Sequence, residues 1–117
     1  MILTNAKIFD SVQVLSQAKN ETGPLGYAIM VNLRKLSAEV NEYAEKRNEL
    51  LAKHGTDQGN GKYNFTPEQG AAFTEALQPY ADMEVDVAVR QVPEEVFCSG
   101  GLTAWQMDML SWMVKEG

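Results

Sequence analysis

Between residues 24 and 54 apolar side chains recur at intervals of four, three, four and three: Ile29, Leu33, Leu36, Val40 and Tyr43. Leu50 rejoins the series after Arg47. This spacing lines one side of an α-helix, and its mean of about 3.5 residues resembles a coiled-coil seam. Lys35, Glu39, Glu42, Glu45, Lys46 and Glu49 fill the opposite side, with Glu42–Lys46 and Glu49–Lys53 in the favourable i,i+4 order. Pro24 suits the first helical position, where its missing N–H would be unpaired anyway. Gly55 predicts a left-handed stop, preceded by Lys53 and His54 in the last turn. A helix from about Pro24 to His54 would be roughly 45 Å long at 1.5 Å per residue. A globule of this length has a radius of gyration of only about 13 Å. The pattern therefore predicts a helix that protrudes, or a seam that something else must cover.

The flanking patterns are shorter. Thr4-Asn5 offers a cap to a helix whose face carries Ile8, Val12 and Leu15, widened by Phe9, and residues 19–23 read as a turn. After a polar, Gly-rich loop at 56–61, Thr66-Pro67-Glu68-Gln69 combines a cap, a first-position proline and a capping-box Gln. Phe73 and Leu77 supply that helix's inner face, and Pro79 limits it. Met83, Val85, Val87 and Val89 alternate with Glu84, Asp86, Ala88 and Arg90, the period of a half-buried strand that Pro93 ends. Its backbone needs a partner: residues 62–65 are the local candidate, and another chain is the alternative. A second capping box, Thr103 to Gln106, opens a last helix with Trp105, Met109 and Trp112 on one side. Leu110, Met113 and Val114 widen its apolar surface. Together these predict a single-domain α+β fold over 1–117, mainly α: one long central helix, two or three shorter ones and a small antiparallel β element.

Composition narrows the classes. The chain has 117 residues, 44% of them hydrophobic and 22% charged, ordinary globular proportions. No apolar run approaches the roughly 18 residues of a membrane span, and the N-terminus lacks a signal-peptide layout. The net charge is −6, unevenly placed: residues 1–56 balance to +1 and residues 57–117 to −7. Phosphate backbones would be repelled by the acidic half, which disfavours nucleic-acid binding. That acidity reads either as a solvated surface or as an acidic face, Asp82, Glu84, Asp86, Glu94 and Glu95, aimed at a basic partner.

Catalytic constellations do not assemble from the sequence. The single histidine, His54, reads as a dipole-stabilising residue at a helix end, and the single cysteine, Cys98, as a buried, unreactive thiol in a reducing compartment. One Cys and one His cannot make a tetrahedral zinc site alone. Asp57-Gln58-Gly59-Asn60-Gly61, with Glu68 twelve positions in, looks like a calcium loop but has glycine at two ligand positions. Phosphate-loop and dinucleotide fingerprints are absent. Glu84 and Asp86 could share a proton, but an exposed strand face gives them a simpler role in deterring edge-to-edge pairing. No enzyme activity, metal or cofactor is expected.

The order of these pieces resembles a family of small tailed-phage proteins, domain of unknown function family 1617. The resemblance is carried by Thr4-Asn5, the Pro24 helix ending in residues 45–55 (Glu45-Lys46-Arg47-Asn48-Glu49-Leu50-Leu51-Ala52-Lys53-His54-Gly55), Tyr63-Asn64-Phe65, Glu84-Val85-Asp86-Val87 and the segment Leu102 to Leu110. The family usually has Leu-Pro and a basic residue where this chain has Gly23-Pro24-Leu25-Gly26, and proline at the place of Ala104. The resemblance implies a phage or prophage accessory protein without assigned activity, from genes near those for tail and lysis proteins, located in host cytoplasm or virion. It carries no catalytic residues. The sequence therefore predicts a non-enzymatic protein acting through protein–protein contacts, with itself or with a phage or host protein. Ile29, Leu33, Leu36, Val40, Tyr43, Trp105, Met109 and Trp112 would supply the contact. The rivals are an acidic inhibitor of a host protein, using the five carboxylates, and a small-ligand binder.

Overall fold

The computed structural model describes residues 1–59 and 62–115. The chain is an α+β protein, mainly helical, built along one long helix. Helix α1 spans Asn5–Gln17, α2 Gly23–His54, α3 Pro67–Ala81, α4 Glu94–Cys98 and α5 Ala104–Met109, followed by a 3₁₀ turn at Ser111–Met113. Strand β1 (Ile2–Thr4) pairs antiparallel with β4 (Glu84–Asp86), and β2 (Thr56–Asp57) with β3 (Tyr63–Asn64).

The local signals for helix starts are realised as hydrogen bonds. Thr4 Oγ1 accepts from the Lys7 N–H at 3.1 Å. Thr66 and Thr103 each close a reciprocal capping box with Gln69 and Gln106. Gly55 ends α2 without the left-handed geometry that its position predicts: its φ is −93° and ψ 167°. Glycine is required there by crowding instead, since a Cβ would stand 2.9 Å from both Leu51 O and Tyr63 Cβ. Pro79 does not limit α3 but sits inside it. The bond it cannot donate would have gone to Glu75, and both residues lie exposed, where water can serve the freed carbonyl.

At 32 residues α2 is about 48 Å long, as long as the molecule itself, whose extents are 46 × 28 × 22 Å. The seam does not outrun what the chain can cover, which corrects the sequence expectation. Ile29 and Leu36 are 1% and 0% exposed, Val40 and Tyr43 are buried, and Leu33 is half-buried against the core. Helix α1 runs antiparallel along the middle of α2, its start beside Glu42–Lys46 and the turn after it beside Leu33, bringing Ile8, Val14 and Leu15 into the same core. Phe9 meets Tyr43 edge-on, with ring centroids 5.7 Å apart. Helix α3 covers the second half. Arg47, the charge that interrupts the seam, places its guanidinium 5.0 Å from the Phe9 ring centroid and 6.0 Å from that of Phe73, bridging the two covering helices.

The strand partner also differs from expectation. Residues 84–86 pair with 2–4, in the register Ile2↔Asp86, Leu3↔Val85 and Thr4↔Glu84, while Tyr63–Asn64 pairs with Thr56–Asp57. The strand itself is three residues long; beyond it Val87 remains buried while the chain runs on without a ladder. This stretch is held to α2 by Asn32, fully buried amid the apolar positions. Its Nδ2 donates to Arg90 O at 2.9 Å, and its Oδ1 accepts from the Arg90 N–H at 2.7 Å.

The last helix breaks after Met109, and the following 3₁₀ turn changes which residues face inward. Leu110 and Met113, three apart and eclipsed in such a turn, are both 0% exposed. Trp112 is half-buried and its Nε1–H donates to Ser11 Oγ at 3.1 Å, satisfying a hydroxyl with no solvent access. Val92 and Val114 then form a short parallel bridge.

Asn32→Ala would strand both backbone groups of Arg90. We expect it to lower the unfolding free energy by roughly 2–3 kcal/mol, whereas Asn41→Ala, exposed on the same helix, changes it by less than about 0.5 kcal/mol. Urea denaturation of the two variants checks this.

Candidate interaction surface

The residues singled out from the sequence fall into three places. The seam set, Ile29, Leu36, Val40 and Tyr43, is enclosed by the chain's own α1, α3 and C-terminal segment and offers nothing to a partner; Leu33 alone reaches the surface in part. The C-terminal set is divided. Trp105 is 55% exposed, Met109 is half-buried, and Trp112 is committed to Ser11. The α5 break separates what a continuous helix would have aligned.

The five carboxylates are all exposed but stand on different elements. Glu84 and Asp86 share the outer face of the small sheet with Ile2 and Thr4, their register partners. Asp86 accepts from the Met1 amino group at 3.0 Å, and Asp82 accepts from Gln78 Nε2 at 2.7 Å. Glu94 and Glu95 occupy the first turn of α4, where carboxylates complement the helix dipole. Their placement has a local explanation at four of the five positions, all but Glu84.

Cys98 is exposed at the end of α4, which corrects the expectation of a buried thiol; the residues that point inward from this short helix are Phe97 and, in part, Val96. His54 is half-buried in the last turn of α2. In the loop compared with a calcium site, Asp57 Oδ1 accepts from the Gly59 N–H at 2.8 Å, closing a turn, and Asn60 and Gly61 lie outside the described residues. Among the described residues no three His, Cys, Asp or Glu side chains converge as metal ligands, and no helix is long and apolar enough to cross a membrane.

The surface that sequence reasoning missed is the open face of α2. Tyr27 is 52% exposed and Met30 42%, one helical turn apart, with Val31 half-buried beside them and Arg34 one turn further on. Tyr27 and Met30, together with Leu33, Lys19 and Asn20, border a shallow groove where the α1–α2 turn meets α2. The Arg90 guanidinium lies 5.0 Å from the Tyr27 ring centroid. Its position follows from the fold, because the Asn32 amide fixes the Arg90 backbone one turn away on the same helix. A second apolar line at 27, 30 and 31 is legible in the sequence, but the longer seam beside it dominates the periodicity.

Further along the same face the character changes. Glu39, Glu42, Glu45 and Glu49 are exposed, and Lys46, half-buried, points its ammonium toward the Tyr80 ring at 5.2 Å and toward Glu49 at 3.5 Å. That ion pair spans three residues, not the four expected from the Glu42–Lys46 spacing. Compared with known protein families, with curated proteins and with solved structures, the chain matches none.

Tyr43 lies at the junction of α1 and α2, and its phenol is pushed above the ordinary tyrosine value. Burial is the main cause; the Arg47 charge works against it and Asp10 adds to it. The unfolded chain's tyrosine loses its proton first, near pH 10, so the stability gained by keeping Tyr43 neutral is present at neutral pH and is lost as pH rises from there through the folded value. Tyr43→Phe should flatten this loss: the variant's urea midpoint, compared with wild type at about pH 7 and about pH 10.5, falls less between the two.

Proposed function

We propose that this chain is a non-enzymatic accessory protein, of the tailed-phage kind that the order of its motifs resembles, and that it works through protein–protein contact on the open face of α2. The observation that carries this reading is the exposure of Tyr27 and Met30 side by side, flanked by Arg34 and Arg90. Single exposed apolar residues are ordinary on any protein. An aromatic ring, a thioether and two guanidinium groups within one patch are the residue types enriched where proteins meet, because each combines large contact area with a polar or polarisable edge. Neither side chain is needed by the core, which closes on the opposite side of the same helix.

The reading differs from the sequence expectation in place, not in kind. The seam is used up internally, so contact shifts to the face that internal packing leaves free. A photo-crosslinking amino acid at Tyr27, in cells producing the protein with its neighbouring phage genes, should give a discrete protein adduct. The same probe at Gln13, exposed on α1, should not. Adducts at Gln13 and none at Tyr27 would refute the assignment of this face.

A further inference from the structure

Resting on that reading, we infer that the occupant of the open α2 face is a second copy of this chain, laid antiparallel across the first with Ala38 at the two-fold axis. The argument is the distribution of charge along the face. From Gly23 to Ala38 the helix carries Arg34 and Lys35 and no carboxylate; from Glu39 onward its exposed positions carry Glu39, Glu42, Glu45 and Glu49 against one exposed cation, Lys53 in the last turn, with half-buried Lys46 paired to Glu49. Ala38, small and exposed, stands where the sign changes. Among the described residues Arg34, Lys35, Glu39, Glu42 and Glu45 make no ion pair within the chain. Opposite charges are thus available at both ends of one face and are not consumed internally.

A stripe polarised in this way is complementary to itself when reversed. An antiparallel crossing at Ala38 sets Arg34 opposite Glu42 of the second copy, and the symmetry repeats the pair on the other side of the axis. The same reversal brings Val31 toward Glu45 and Tyr27 toward Glu49, so the aromatic and thioether end of each copy covers the acidic end of the other. A small residue at the crossing lets two helix axes approach to about 8–10 Å. A parallel arrangement would instead set like charges against each other along the stripe, which is unfavourable.

The test uses sedimentation equilibrium on the full chain, with Arg34→Glu and Glu42→Arg as variants at exposed positions and circular dichroism to confirm that each folds. The wild type should be dimeric at about 100 µM protein and low salt, and should weaken as salt screens the pairs. Each single reversal should weaken association about tenfold, because it creates two like-charge contacts per dimer. Mixing the two variants should restore association to near the wild-type level, since only the mixed pair regains both opposite-charge contacts. A monomeric wild type, or singles that lose association with no recovery in the mixture, would overturn the inference. A Tyr27 adduct with the mass of a different protein, found alongside a monomeric wild type, would overturn the self-pairing alone and leave the proposed contact face standing.

Discussion

A helix of 32 residues, as long as the molecule it belongs to, must have its apolar side covered over its whole length. That requirement places nearly every other element. Burying each large side chain of the seam is worth roughly 1.5–3 kcal/mol, and no single short helix can reach all of them. At 13 residues α1 covers about 20 Å, so the C-terminal end of α2 falls to α3 and its N-terminal end to the segment between Val87 and Val114. The antiparallel return of α1 fixes where β1 starts, and β1 in turn fixes where residues 84–86 can pair. The small sheet is therefore a consequence of helix packing rather than an independent nucleus. Two three-residue strands could not hold together alone.

Coverage by irregular chain needs polar anchors, because such a chain brings backbone groups that no ladder satisfies. The structure meets this with side chains drawn from the helices and from the turn between α1 and α2. Asn32 holds both backbone groups of Arg90, and Asn5 Nδ2 donates to Tyr80 O at 3.0 Å. Glu21 Oε2 accepts from the Gly101 N–H at 2.9 Å, and a Cβ at Gly100 beside it would stand 2.6 Å from Leu25 Cδ2, so that side chain would have to move aside. No buried side-chain nitrogen or oxygen among the described residues is left without a partner. Each anchor joins residues more than 50 positions apart, so each specifies topology as well as satisfying a group.

This division explains what the sequence made legible. Signals confined to a few neighbouring residues survive in the structure: the Thr4, Thr66 and Thr103 caps and the 3.5-residue seam. The mainly helical α+β class follows from them. Features set by distant chain do not show locally. Ile2–Thr4 is too short for any periodicity, so nothing local marks it as the partner of residues 84–86. Asn32 reads as one polar residue near an apolar stripe, with nothing to mark Arg90 as its partner 58 positions on. The α5 break is equally hidden: Ala104 to Val114 is continuously compatible with helix, and the tightening at Ser111–Met113 is selected by the space that Leu110 and Met113 fill. The seam itself was legible but its sufficiency was not, because whether a stripe is in excess depends on what the rest of the chain can bring to it.

The same anchors tie the interior to the open face. Arg90 has its backbone fixed by a buried amide while its guanidinium lies over an exposed ring. A cation held this way meets an incoming surface with less freedom to lose than one on a mobile stem, and less lost freedom means more of the contact energy appears as affinity. Tyr27 benefits equally, since a ring covered by a guanidinium on one side samples fewer orientations. The seam and the open face are opposite sides of one helix, and Asn32 lies on the flank between them. Packing that secures the first thereby sets the geometry of the second, without any of the exposed residues contributing to the core.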